Sequence, residues 1–111
     1  MRITFEQELE NLNESLTEMG TKVEKIIERT FEAFGKNDRD ALQKIIGGDG
    51  DVDRMEKDIE AKCLSLMLRQ QPVAKDLRHI SMALKVVTDL ERIGDHAVDI
   101  AELAMRLDQK D

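Results

Sequence analysis

Asp89-Leu90-Glu91-Arg92-Ile93-Gly94-Asp95-His96 lies in the middle of the last long apolar-periodic stretch of the chain. From Leu77 the apolar residues recur at Ile80, Leu84 and Val87 and resume at Val98, Ala101 and Met105. That is the three-and-four spacing of a helix face packed on a partner. Where the stripe should continue, the chain carries Glu91 and Gly94-Asp95. A second row (Val86, Leu90, Ile93, Ala97, Ile100, Ala104) runs along a neighbouring face, so the pattern predicts a helix with two buried sides. A carboxylate on such a helix is unfavourable unless something offsets its charge. Glu91 and Asp95 are one turn apart, and their side chains can reach one point.

Working outward, Pro72 sits before this helix and marks a turn, because proline disfavours helical geometry in the residue ahead of it. Proline also suits the first position of the helix that follows, which is predicted from Val73 to Leu107. A first helix is predicted from Thr4, a plausible N-cap, to Phe34, through Phe5, Leu9, Leu12, Leu16, Met19, Val23, Ile26, Ile27 and Phe31. Gly35 can adopt the left-handed conformation that ends a helix. Asn37 or Asp38 caps a second helix carrying Ala41, Leu42, Ile45 and Ile46. Gly47-Gly48-Asp49-Gly50 interrupts it, yet Ile45, Asp49, Val52, Glu56 and Ile59 keep phase across the break, which favours one bent helix over two. The fold expected is all-α, an antiparallel up-down-up three-helix bundle forming a single domain over residues 1–111.

Composition supports this. The 111 residues are 41% hydrophobic but only 3% aromatic, so aliphatic side chains and methionine build the core, with a single proline. A net charge of −7 without a clustered basic stripe argues against a nucleic-acid partner and suits cations or a basic protein surface. The lone Cys63 excludes an internal disulfide framework and falls on an apolar row, as a small buried hydrophobe in a reducing compartment does. No hydrophobic run approaches the ~20 residues of a membrane span, and the acidic, amphipathic N-terminus does not read as a signal peptide. A soluble, cytoplasmic protein is expected.

In an antiparallel hairpin, residues equally far from the turn stand at one level. Asp53 and Glu91 lie equally far from Pro72, and so do Asp49 and Asp95. Two acidic i, i+4 pairs therefore face each other, and helices packed about 8–10 Å apart let four inward-leaning carboxylates converge. A hard or borderline cation with oxygen ligands would turn their repulsion into attraction. Asp49, Asp53, Glu91 and Asp95 are the candidate metal ligands. The competing reading is a solvated acidic face paired with Arg54, Lys57 and Arg92, that is, an acidic helical interaction module with no metal site.

Other patterns lead less far. Asp49-x-Asp51-x-Asp53 imitates a calcium loop, but Arg54 stands where that loop requires glycine, and Val52, Met55 and Ile59 keep a helical rhythm. His79 and His96 read as ordinary polar residues, and the methionines as core. No nucleophile with its base, phosphate loop or thiolate zinc site is visible, and no glutamate is followed three residues later by histidine as in di-metal carboxylate enzymes. No catalysis is expected.

Arg69-Gln70-Gln71-Pro72-Val73-Ala74-Lys75-Asp76-Leu77-Arg78 and Asp89-Leu90-Glu91-Arg92-Ile93-Gly94-Asp95-His96-Ala97 resemble the PhoU family of bacterial phosphate-uptake regulators. So do Asp49 to Asp53 with Met55-Glu56-x-x-Ile59-Glu60 and Cys63, and the opening from Phe5 to Met19-Gly20. Family members carry two such repeats in tandem, and this chain has one, resembling the N-terminal repeat. The resemblance implies a non-enzymatic adaptor that connects the phosphate ABC transporter to a sensor histidine kinase and holds the starvation response off when phosphate is plentiful. It implies metal at the paired acidic motifs (here Asp49, Asp53, Glu91 and Asp95), with iron, manganese, nickel or zinc as the ions expected. It also implies a homo-oligomer, because a lone repeat leaves exposed the surface that its tandem partner would cover. Asp76, Arg78 and Arg92 match the family pattern and are expected to form an ion-pair network that fixes the hairpin.

Overall fold

The computed structural model describes residues 2–48, 50–68 and 72–108. They form α1 (Arg2–Lys36), α2 (Arg39–Gly47), α3 (Gly50–Leu68) and α4 (Ala74–Asp108), with no strand among the described residues. α3 packs on α1 and α4, and α2 packs on the same two helices, α1 and α4, so α2 and α3 together make the middle arm. Asn13, early in α1, accepts at its Oδ1 a 2.9 Å hydrogen bond from the Nε2 of His79, early in α4, while Lys62, late in α3, reaches Asn11 and Ser15. The two outer arms thus run alike and the middle arm runs against them. The all-α bundle expected from the periodicity is present.

The core follows the predicted rows. Leu12, Met19 and Val23 of α1 meet Val52, Ile59, Cys63 and Leu66 of α3 and Ile80, Ala83 and Val87 of α4. Each fully buried aliphatic side chain contributes roughly 1.5–3 kcal/mol relative to exposure. A second, smaller cluster joins Leu42 of α2 to Ala33, Ala101 and Ala104. Cys63 is fully buried, as its apolar row implied, and burial pushes its thiol pKa up.

Several boundaries differ from expectation. α1 begins before Thr4 and continues through Gly35 to Lys36; the left-handed residue after it is Asn37, at φ 56°. Asparagine tolerates that region because its short polar side chain bonds locally. Asp38 is the cap of α2, its carboxylate accepting from the Ala41 N–H at 3.1 Å. The second helix is interrupted, α2 stopping at Gly47 and α3 restarting at Gly50, and the two pieces together serve as one arm of the three-helix bundle. Gly48 stands between them with its N–H donated to the Lys44 and Ile45 carbonyls. Pro72 lies before α4 rather than at its first position, and Val73 is the residue whose carbonyl takes the first helical bond, from Leu77 N–H. The buried Asp76 reaches back to the Val73 N–H at 3.3 Å, half of a capping box. Of the expected ion-pair network, Asp76 serves this cap, whereas Arg92 pairs at 3.9 Å with Asp89 on its own helix.

The expectation of two buried sides on the last helix is also corrected. Leu90 is half-buried and Ala97 and Ala104 are buried, but Val86, Ile93 and Ile100 face solvent, as does Leu77. Phe31 and Phe34 of α1, expected on the core rhythm, are exposed as well. Three arms offer α4 only two neighbours, so a second full apolar face has nothing in the chain to meet. No helix among the described residues is long and apolar enough to cross a membrane.

Candidate metal site

Gly94 sets the site up. It is buried in α4, and a Cβ there would lie 3.4 Å from a Val52 methyl of α3 and 3.8 Å from one of Val23. A residue with no bulk beyond Cβ is what this level accommodates, so α3 can lie against α4 here. Val52 is followed by Asp53, and Gly94 is flanked one position and one turn away by Asp95 and Glu91. The close approach carries all three carboxylates to the same rim.

Asp53, Glu91 and Asp95 each offer an oxygen, and these atoms lie within 4.8 Å of one another. Asp49, the fourth predicted ligand, lies outside the described residues. The electrostatics agree with the geometry. A hydrogen bond that protonated Glu91 donates to the neighbouring Asp95 carboxylate, then burial, then the charges of Asp95, Glu56 and Asp53 raise the Glu91 pKa from 4.5 to about 7. Among the described residues no lysine or arginine stands within ion-pair distance of Asp53, Glu91 or Asp95. Arg54 instead binds Asp51, which also takes Lys22 at 3.5 Å. Arg92 and Lys85 both turn to Asp89. The solvated-face reading had assigned Arg54, Lys57 and Arg92 to the cluster; of these Lys57 acts on Glu56, where it offsets only part of the rise in pKa.

Glu56 belongs beside these three and was not singled out by spacing. Its pKa is raised by burial first, then by the charges of Glu60, Asp53 and Asp95. Search for facing i, i+4 pairs passes over it because it stands three residues from Asp53; helical periodicity at i+3 would have found it.

The histidines take no part. His79 is bonded to Asn13, and His96 lies 4.0 Å from Asp99. α3 is helical from Gly50, so the calcium-loop imitation is not a loop. The donor set is oxygen alone, which suits hard or borderline cations. An ion with oxygens at about 2.0–2.6 Å places its ligands up to roughly 4–5 Å apart, so the observed spacing accommodates one with little movement.

The PhoU domain matches residues 16–104, a span that holds both acidic motifs and the turn between them. The chain belongs to the PhoU family. It is 49% identical over 107 residues to the phosphate-specific transport system accessory protein PhoU homolog of Clostridium acetobutylicum, covering 96% of this chain and 49% of that protein. Proteins of the same description from Synechocystis sp. and Aquifex aeolicus are 39% and 40% identical, over 96% and 91% of this chain and 47% and 46% of their own. The chain thus spans about half the length of these curated PhoU relatives, which are named as accessory proteins rather than by an enzymatic activity.

Proposed function

We propose that this chain acts as a cytoplasmic, non-enzymatic regulator of phosphate uptake: a metal-loaded adaptor between the ATPase subunit of a phosphate ABC transporter and a sensor histidine kinase. The observation that carries the regulatory reading is family membership together with near-complete coverage by relatives named for the phosphate-specific transport system. What supports the metal is the convergence of Asp53, Glu91 and Asp95 with no basic side chain among the described residues to neutralise them. Asp53, Glu91 and Asp95 would hold the ion, Asp49 completes the facing pairs of the sequence, and Glu56 adds negative charge from the next turn. A bound cation would supply charge neutralisation at this rim, where α3 and α4 are already closely packed at the Gly94 level. The chain's own residues then present a hairpin of fixed shape to a partner.

The two parts are tested separately. The 111-residue chain used as bait in phosphate-replete cells is expected to capture the transporter ATPase and a histidine kinase; recovery of neither would remove the adaptor role. Titration with iron(II), manganese, nickel or zinc should raise the melting temperature with ion concentration, since a ligand that binds only the folded state stabilises it. The double change Glu91→Gln with Asp95→Asn keeps shape and removes charge, so that rise should vanish while the metal-free fold stays at least as stable. Unfolding of the metal-free variant would instead make these residues structural, and the chain an acidic interaction module without metal.

A further inference from the structure

Between α1 and α4, toward the hairpin end of the rod, lies a groove of about 340 Å³. Its α4 lining follows one stripe of the helix, and the stripe changes character along its length. Lys75, Arg78 and His79 come first, then Met82, Ala83 and Val86, with Leu16 of α1 opposite. Ala83 is buried and Leu16 half-buried, so the apolar part is recessed between the two helices. Met82, at 67% exposed, stands over it with nothing to cover it. The Nε2 of His79 donates to the Oδ1 of Asn13 at 2.9 Å and ties the two walls together.

Charge sets this end apart from the rest of an acidic chain. Lys22, Arg54, Lys85 and Arg92 are each engaged by a nearby aspartate. Lys75 and Arg78 have no ion-pair partner among the described residues, and Asp76 between them is buried, with its carboxylate turned to the Val73 N–H. Two uncompensated cations beside an apolar trough are complementary to carboxylates followed by apolar side chains.

We propose that this groove seats an acidic amphipathic helix of a partner protein, its carboxylates against Lys75 and Arg78 and its apolar side chains against Leu16, Met82 and Val86. From Lys75 to Val86 the stripe runs roughly 17 Å, room for about three turns of a second helix. Helix-in-groove recognition reads anchors at three- and four-residue spacing, and an exposed methionine adapts to such anchors. A small anion would leave the apolar lining unused. A membrane presents a plane, whereas this lining is recessed. The contact rests on the adaptor reading only in taking a protein as the occupant, and it uses none of the carboxylates between α3 and α4.

The probe is a stapled synthetic helix of about three to four turns, with glutamates in one end turn and leucines at three- and four-residue spacing beyond. Fluorescence anisotropy of the labelled peptide with the 111-residue chain, without metal, should show micromolar binding that weakens as salt rises. Lys75→Glu with Arg78→Glu should weaken it roughly tenfold, and a peptide with lysines in place of the glutamates should bind that variant instead. Met82→Glu should abolish binding with helical circular dichroism unchanged, because Met82 is exposed. Equal binding of a scrambled peptide, or binding indifferent to both variants, overturns the proposal. So does capture of phosphatidylglycerol vesicles in place of the peptide, which gives the cations to a membrane, or self-association broken by Met82→Glu, which gives the groove to a second copy. Recovery of neither transporter ATPase nor kinase by the bait would leave peptide binding intact, so the two readings fail separately.

Discussion

Glu91 holds its proton more tightly in the folded chain than in the unfolded one, because the protonated carboxyl donates a hydrogen bond to Asp95, and ionising it leaves a charge on a partly desolvated rim beside Asp95. Between its ordinary pKa of 4.5 and its folded value of about 7, the folded state therefore binds more protons. Stability contributed by this group falls as pH rises through that window, and the full penalty remains above it. Metal-free protein should accordingly show a denaturant midpoint that declines from pH 4.5 to pH 7. Glu91→Gln should flatten part of the decline, and an unchanged slope would show that the repulsion is not felt. Of the cluster, Asp53, Glu91 and Asp95 were legible from distance to the turn alone, because an antiparallel pair fixes levels by counting. Glu56 was not, since its membership depends on which flank of α3 faces α4, and counting levels does not report rotation about a helix axis.

At the scale of the element, glycines have two different roles. Gly20, inside α1, has open space where a Cβ would go, so Gly20→Ala should raise stability by up to ~1 kcal/mol through propensity alone. Gly94→Ala should be tolerated, its methyl meeting Val52 at ordinary contact distance. Gly94→Leu should cost about 1–3 kcal/mol by overpacking and, by wedging α3 away, should weaken metal binding too. Calorimetric titration of both variants separates the effects: equal metal affinity in the leucine variant would detach the site from the helix spacing. Asp38→Ala removes the cap of α2 and should cost about 0.5–2 kcal/mol in chemical denaturation. Helix existence was readable throughout, because long apolar periodicities leave few alternatives. The ends were less so. Gly35 looked the natural left-handed terminator, but Asn37 fills that role, and phase retained across Gly47–Gly50 did not reveal that α2 stops at Gly47 and α3 restarts at Gly50.

The whole molecule measures 61 × 18 × 16 Å, with a radius of gyration of 17.5 Å against about 13 Å for a compact chain of this length. That the last helix carries two apolar faces was visible in the sequence; that only one is covered was not, because the number of neighbours belongs to the assembled bundle. A rod has no single centre, and its apolar interior is divided in two. Ile59→Ala, in the larger part, should cost about 2–5 kcal/mol and be felt by the whole fold. The smaller part behaves differently. α2 has nine residues and a single fully buried side chain, Leu42, between Asn37 and Gly48. Its amide hydrogens should therefore trade with deuterated solvent through a private opening, orders of magnitude faster than those around Ile59 and Val87. Leu42→Ala should quicken that exchange with little change elsewhere. The middle arm would then possess a latch that lifts while the rest of the rod stays shut.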